Sequence, residues 1–154
     1  LMLLAGKGIV TLLFNLLVIA LAAGITEEFL FRGAVQRVIG GWTRNHHIII
    51  WSAAILFSAF HMQFFGFLPR MLLGAYFGYL LYWGRNIWIP VFAHFTNNAF
   101  AVISMSDAKL KDNEFITGDI SAQNLLPYTV IAIISLFLFY ACAKKIKQLT
   151  AAKN

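Results

Sequence analysis

The chain has 154 residues, of which 60% are hydrophobic and only 12% charged, with a net charge of +6. That balance excludes an ordinary soluble globular domain, and the basic residues stand singly at segment ends rather than in one patch, which argues against a nucleic-acid partner. The single cysteine, Cys142, leaves no intrachain disulfide and no thiolate metal cluster.

Five apolar segments follow one another along the chain, at roughly 8–36, 47–65, 68–83, 87–105 and 127–143. Each is near the length at which a helix crosses a hydrocarbon core of about 30 Å. Alternation of period two is lacking, so the expected fold is all-α, a polytopic helical membrane protein with about five transmembrane helices, rather than a barrel. The segment 68–83 is short and opens Leu68-Pro69, with proline where a first helical turn tolerates it. No repeat or linker divides the chain, so residues 1–154 read as one helical membrane domain. The opening Leu-Met-Leu-Leu lacks an initiator Met and a cleavage pattern, which predicts the catalytic core of a longer chain, with earlier helices possible.

Charge orients the segments. Lys144, Lys145 and Lys147 follow the last one, Arg37 and Arg44 lie in the first connection and Arg85 in the third, whereas the polar connection 106–126 carries Asp107, Asp112, Glu114 and Asp119. The positive-inside rule then predicts a cytoplasmic C-terminus, with Lys7 and Arg70 running against the trend. Tyr82, Trp83 and Trp88 flank the third connection as an interfacial aromatic belt would.

Glu27 and Glu28 are the only acids in the first 106 positions, and they stand in the apolar stretch Gly24-Ile-Thr-Glu-Glu-Phe-Leu-Phe-Arg32. An intramembrane carboxylate costs at least a few kcal/mol and needs a partner or a function. Residues four apart stack on one helix face while neighbours diverge by about 100°. Glu28 therefore pairs with Arg32 and is read as the structural member, leaving Glu27 on a face of small residues, Ala23, Gly24 and Ala34. A purely structural triad with Arg32 is the competing reading.

His61 and His94 favour chemistry. Counted at about 1.5 Å per residue, Glu27, His61 and His94 all fall in the central region of their segments, and Asn98 lies one turn beyond His94 on the same face. Two hydrolytic designs use such groups. In one, Glu27, His61 and His94 ligate a zinc ion that activates water. In the other no metal takes part. Glu27 is then general base to a water positioned by His61, while His94 and Asn98 donate to the oxyanion in a cavity between helices. Asn98 favours the metal-free design, being a poor zinc ligand and a good oxyanion donor, and the helical His-Glu-x-x-His zinc motif is absent.

Glu27-Glu28-x-x-x-Arg32, Phe57-x-x-x-His61 and His94-x-x-x-Asn98, in this order on successive apolar helices, resemble the three motifs of the CPBP family of CAAX proteases and bacteriocin-processing (Abi) proteins. The similarity extends over about residues 24–105. It implies an intramembrane endopeptidase with Glu27, Glu28, Arg32, His61, His94 and Asn98 as site residues. It also implies a membrane-associated protein or peptide as substrate and a bacterial plasma membrane as location. Glutamate-dependent and metal-dependent descriptions of the family both exist, so zinc stays possible as a cofactor while none is expected.

Other residues read more plainly. His46 and His47 are expected to be solvated interfacial residues, Gly74 and Gly78 a helix-packing face, and Asn97 to point away from the site. Thr26 and Ser58 are expected to bond carbonyls within their own helices. A non-catalytic immunity or binding protein with a structural polar network and a proton-coupled transporter are the alternative functions. The transporter is disfavoured by the lack of an inverted repeat.

Overall fold

A computed structural model describes residues 8–107 and 121–151. Five helices hold most of them: α1 Ile9–Gly40, α2 His46–Phe60, α3 Phe67–Gly84, α4 Trp88–Ser106 and α5 Leu125–Ala151. No strand occurs among the described residues. Each predicted apolar segment became one helix, with its ends moved by a few residues. Lys7, Asp112, Glu114 and Asp119, used above to orient the chain, lie outside the described residues.

Two stretches, Ile9–Gly40 and Leu125–Leu149, are long and apolar enough to cross a membrane by length and composition. The helices α2, α3 and α4 have 15, 18 and 19 residues. At about 1.5 Å per residue they rise less than a hydrocarbon core of about 30 Å. Of the five expected spans, two therefore meet the length and apolarity of a crossing.

α1 is not wound uniformly. Leu16–Ala22 and Phe29–Val35 form wider turns with i→i+5 bonding, and they flank the α-helical stretch Ala23–Glu28 that carries both glutamates. Such turns accommodate an extra residue and recur at functional sites. Elsewhere the ends are set by ordinary chemistry. Asn45 caps α2 by accepting bonds from the backbone N–H groups of His47 and Ile48 at 3.0 and 3.4 Å. α3 stops where Arg85 turns left-handed, at φ 52°, and its N–H bonds the Leu81 carbonyl at 2.8 Å.

Helices α2 and α3 pack as an antiparallel hairpin, α1 lies against α4 and touches α2, and α5 runs along α3. The buried centre is built from Ile50, Ala54, Phe57, Ala75 and Phe77. Gly24 decides how closely α1 meets α4, because a Cβ there would stand 3.3 Å from the backbone nitrogen of Phe95. Large apolar side chains such as Phe92, Phe100, Phe137 and Leu138 face outward, as a lipid-facing surface does.

One expectation changes, that for Ser58, while His46 and His47 keep the exposure expected of them and gain partners. His46 stacks on Tyr82 with ring centres 4.2 Å apart, and His47 Nδ1 lies 2.6 Å from the Tyr79 hydroxyl, so this pair ties α2 to α3. Ser58 donates to the Phe67 carbonyl at 2.6 Å, outside its own helix, because the short turn brings that carbonyl back over α2. Thr26 does bond within its helix, to the Ala22 carbonyl at 2.8 Å.

Candidate active site

Glu28 is the most enclosed member of the polar cluster. Its fully buried side chain accepts, on one oxygen, a bond from Arg32 Nη1 at 2.9 Å and one from His94 Nδ1 at 2.8 Å. Arg32 Nη2 donates to the Gly74 carbonyl at 2.7 Å. Its guanidinium lies over the rings of Phe57 and Phe77, 4.8 and 5.4 Å from their centres. One helical turn of α1 is thereby joined to α3 and α4 through charge-assisted bonds in a dry environment, where such bonds are strong and their loss is costly.

The hydrogen-bond partners assign the histidine protons. A carboxylate and a carbonyl only accept, so His94 carries a proton on Nδ1 toward Glu28. His61 likewise carries one on Nδ1 toward the Phe57 carbonyl, 2.8 Å away. Both Nε2 atoms then point the same way. Each lies 3.8 Å from Oε2 of Glu27, an oxygen with no hydrogen-bond partner among the described residues. Glu27 keeps 28% of its side-chain surface exposed, against none for Glu28. The adjacent acids thus occupy opposite environments, as their helical phase predicts.

Glu27, His61, His94 and Asn98 line one cavity of about 290 Å³, together with Ile19, Ala23, Phe57, Leu73 and Ala101. Arg32 and Glu28 stand behind its wall rather than in it. Asn98 donates to the Ile19 carbonyl at 3.2 Å, which belongs to the wide turn Leu16–Ala22. Wide turns offset the helical ladder and open carbonyls to outside donors.

Two lining residues were not singled out by the motifs. Asn97, expected to point away, also borders the cavity, and its Nδ2 donates to Asn98 Oδ1 at 3.3 Å; a wide enough cleft admits neighbours on a helix despite their 100° offset. Arg70, read only as a charge on the outer side, borders the cavity too. Its Nη2 donates to Gln63 Oε1 at 2.7 Å, its planar group lies against Gly66, and Nη1 is buried without a partner among the described residues. Its one sequence signal was being a lone cation inside an otherwise apolar segment.

Zinc would draw on Glu27, His61 and His94, a suitable donor set by chemistry. Ligand atoms at bond lengths of about 2.0–2.1 Å on a tetrahedral ion are separated by roughly 3.3 Å, so both ring nitrogens, 3.8 Å from Glu27 Oε2, would have to draw closer to share one. Among the described residues no three His, Cys, Asp or Glu side chains form a group that would hold a metal ion.

An apolar helical bundle with a buried carboxylate–guanidinium–imidazole network beside a partly exposed second carboxylate defines a class, an all-helical protein with an internal polar site. The particular family follows from comparison. The description "Type II CAAX prenyl endopeptidase Rce1-like" matches residues 9–100, and the chain belongs to this family. Over 89 residues it is 29% identical to an uncharacterized protein, YpbD, of Bacillus subtilis (strain 168), a match covering 55% of this chain and 42% of that protein. The chain thus spans less than half the length of this curated relative. No solved structure matches. Membership supports a peptide hydrolase at the level of the family, and with the two long apolar helices it points to a membrane protein.

Proposed function

We propose that the protein is an intramembrane endopeptidase that hydrolyses a peptide bond of a membrane-associated protein or peptide, with Glu27 as general base. The observation that carries this reading is Oε2 of Glu27, without a hydrogen-bond partner among the described residues and set 3.8 Å from Nε2 of His61 and of His94 in one cavity. A water between Glu27 and His61 donates one hydrogen to each, which turns its lone pairs toward the substrate.

As the water oxygen bonds to the scissile carbonyl carbon, its proton passes to Glu27 and the carbonyl electron pair moves to oxygen. The C–N bond then breaks, and Glu27 returns the proton to the leaving amine, so the enzyme ends unchanged. The oxyanion is met by the second N–H of Asn98 and by His94. His94, whose Nδ1 proton is committed to Glu28, meets it at Nε2 when that nitrogen also carries a proton. Arg70, whose Nη1 has no partner among the described residues, is a further donor for a substrate carbonyl.

The test uses purified protein in liposomes with a panel of membrane-anchored peptides carrying a cleavage reporter. Turnover is expected to fall by about 10²–10⁴-fold in Glu27→Gln, the range attributed to a general base, and to survive prolonged chelation. Unchanged cleavage in Glu27→Gln sinks the assignment of the base. Loss on chelation with recovery on added zinc would instead make Glu27, His61 and His94 ligands.

A further inference from the structure

The turn between α2 and α3 starts at a residue of the candidate site and is tied back to it a few residues on. His61 caps α2 and lines the cavity. Met62 then takes a left-handed φ of 50°, which breaks the helix and reverses the chain. Gln63 accepts from Nη2 of Arg70, at the cavity rim, at 2.7 Å. Beyond it stand Phe64 and Phe65, 88% and 98% exposed.

The backbone of this turn is short of acceptors. Met62 N–H reaches the Ala59 carbonyl and Phe67 N–H the Phe64 carbonyl, at 3.0 and 3.1 Å. The N–H groups of Gln63, Phe64, Phe65 and Gly66 have no partner among the described residues. In water that is ordinary. At about 1.5 Å per residue, though, the 15 residues of α2 lift the turn only about 22 Å from its start beside Tyr82, less than a hydrocarbon core of about 30 Å. Non-helical backbone at such a depth persists where protein covers it or where it lines a watery cavity. Lipid covers two phenyl rings well but offers no acceptor to four N–H groups, a costly state for them.

We propose that the turn 63–66 is the binding edge for the substrate peptide, whose backbone carbonyls accept from these N–H groups while Phe64 and Phe65 hold its apolar side chains. The inference deepens the proteolytic reading and rests on it. Continuity with the cavity argues for the substrate as occupant, because the turn shares His61, and through Gln63 also Arg70, with the place where Glu27 stands. An extended segment presents carbonyls along one edge at every second residue, about 6.8 Å apart. Main-chain pairing of this kind supplies affinity, and side-chain contacts supply specificity. The edge therefore selects substrates that are extended near the bond to be cut and apolar beside it. A helical segment is refused, since its carbonyls are already bonded within the helix.

The test isolates one N–H. Phe65 stands second in the turn of residues 64–67, whose third residue, Gly66, has φ −91° and ψ 0°. Those are the dihedrals of a type I turn, which favours proline at the second position. Phe65→Pro thus removes an N–H with the turn kept, while Phe65→Ala removes the ring alone. The probe is a palmitoylated peptide of valine and alanine, bound in nanodiscs to the whole chain carrying Glu27→Gln, so that binding is read without cleavage. In that background Phe65→Pro is expected to bind it about three- to ten-fold more weakly than Phe65→Ala, the worth of one hydrogen bond, with the two thermal midpoints alike. A fully ester-linked analogue of the probe, whose carbonyls are weaker acceptors, is expected to bind the Glu27→Gln protein at least about ten-fold more weakly than the amide probe. Equal binding by Phe65→Pro and Phe65→Ala, or no binding by the Glu27→Gln protein, overturns the proposal. Should Phe65→Pro not fold, the ester analogue decides, and equal affinity for the two probes overturns it. With Glu27 intact, Phe65→Pro is expected to raise KM more than it lowers kcat. Cleavage with a KM indifferent to Phe65→Pro overturns the edge and keeps the protease. Binding that depends on the Phe65 N–H, with no peptide cleaved by the unaltered protein, keeps the edge and overturns the protease.

Discussion

Glu28 and Glu27 share a sequence neighbourhood and almost nothing else. Removing a partner from a buried, hydrogen-bonded charge pair costs about 3–5 kcal/mol, because the remaining charge stays buried. Glu28→Ala and Arg32→Ala are therefore expected to lose that much stability, visible as a collapse of folded yield in detergent and a lowered thermal midpoint. Glu27→Gln removes no direct hydrogen bond to a described residue and is expected to leave the midpoint within about 0.5 kcal/mol of the original. A comparable loss in all three variants would return both acids to a purely structural triad. The division between the two glutamates was legible in the sequence because four-residue spacing fixes which of them meets Arg32. The Glu28–His94 bond was not. It depends on how closely α1 approaches α4, and nothing local to either motif sets that distance.

What sets it is an element-level feature, the absence of a side chain at Gly24 opposite the Phe95 backbone. Gly24→Val is expected to push α1 from α4, lengthen the contact between His94 and Glu28, and cost about 1–3 kcal/mol as an overpacked contact does. A midpoint unchanged in Gly24→Val would show that the helices have slack there. Apolar runs revealed all five helices, since each is a continuous hydrophobic stretch between polar connections. The wide turns of α1 left no such trace, because leucine, valine, isoleucine and alanine fill Leu16–Ala22 as they would any helix. The roles of His46, His47 and Asn97 were missed for a related reason. Each depends on what a neighbouring helix presents, and a single-segment reading sees only exposure or phase.

For the whole molecule, the basic residues at one end and the aromatic residues beside them remain the guide to placement. With Lys144, Lys145 and Lys147 following the apolar part of α5, a reporter joined to the C-terminus is expected to read as cytoplasmic. A reporter active only on the other face would invert the orientation while leaving every contact within the bundle intact. Alkaline washing of membranes is expected to leave the chain in the pellet, as it does a protein anchored by helices such as Ile9–Gly40 and Leu125–Leu149. The wide turns of α1 carry a consequence for how such a chain can vary. A turn that already holds a surplus residue is a place where one can be deleted with the helix left unbroken. A deletion within Leu16–Ala22 would let the wide turn tighten to ordinary α winding, with Asn15 and everything before it kept on nearly the same side relative to the glutamates. The helix and its face toward α4 would both survive, so this one segment acts as slack between the entry of the chain and its chemistry.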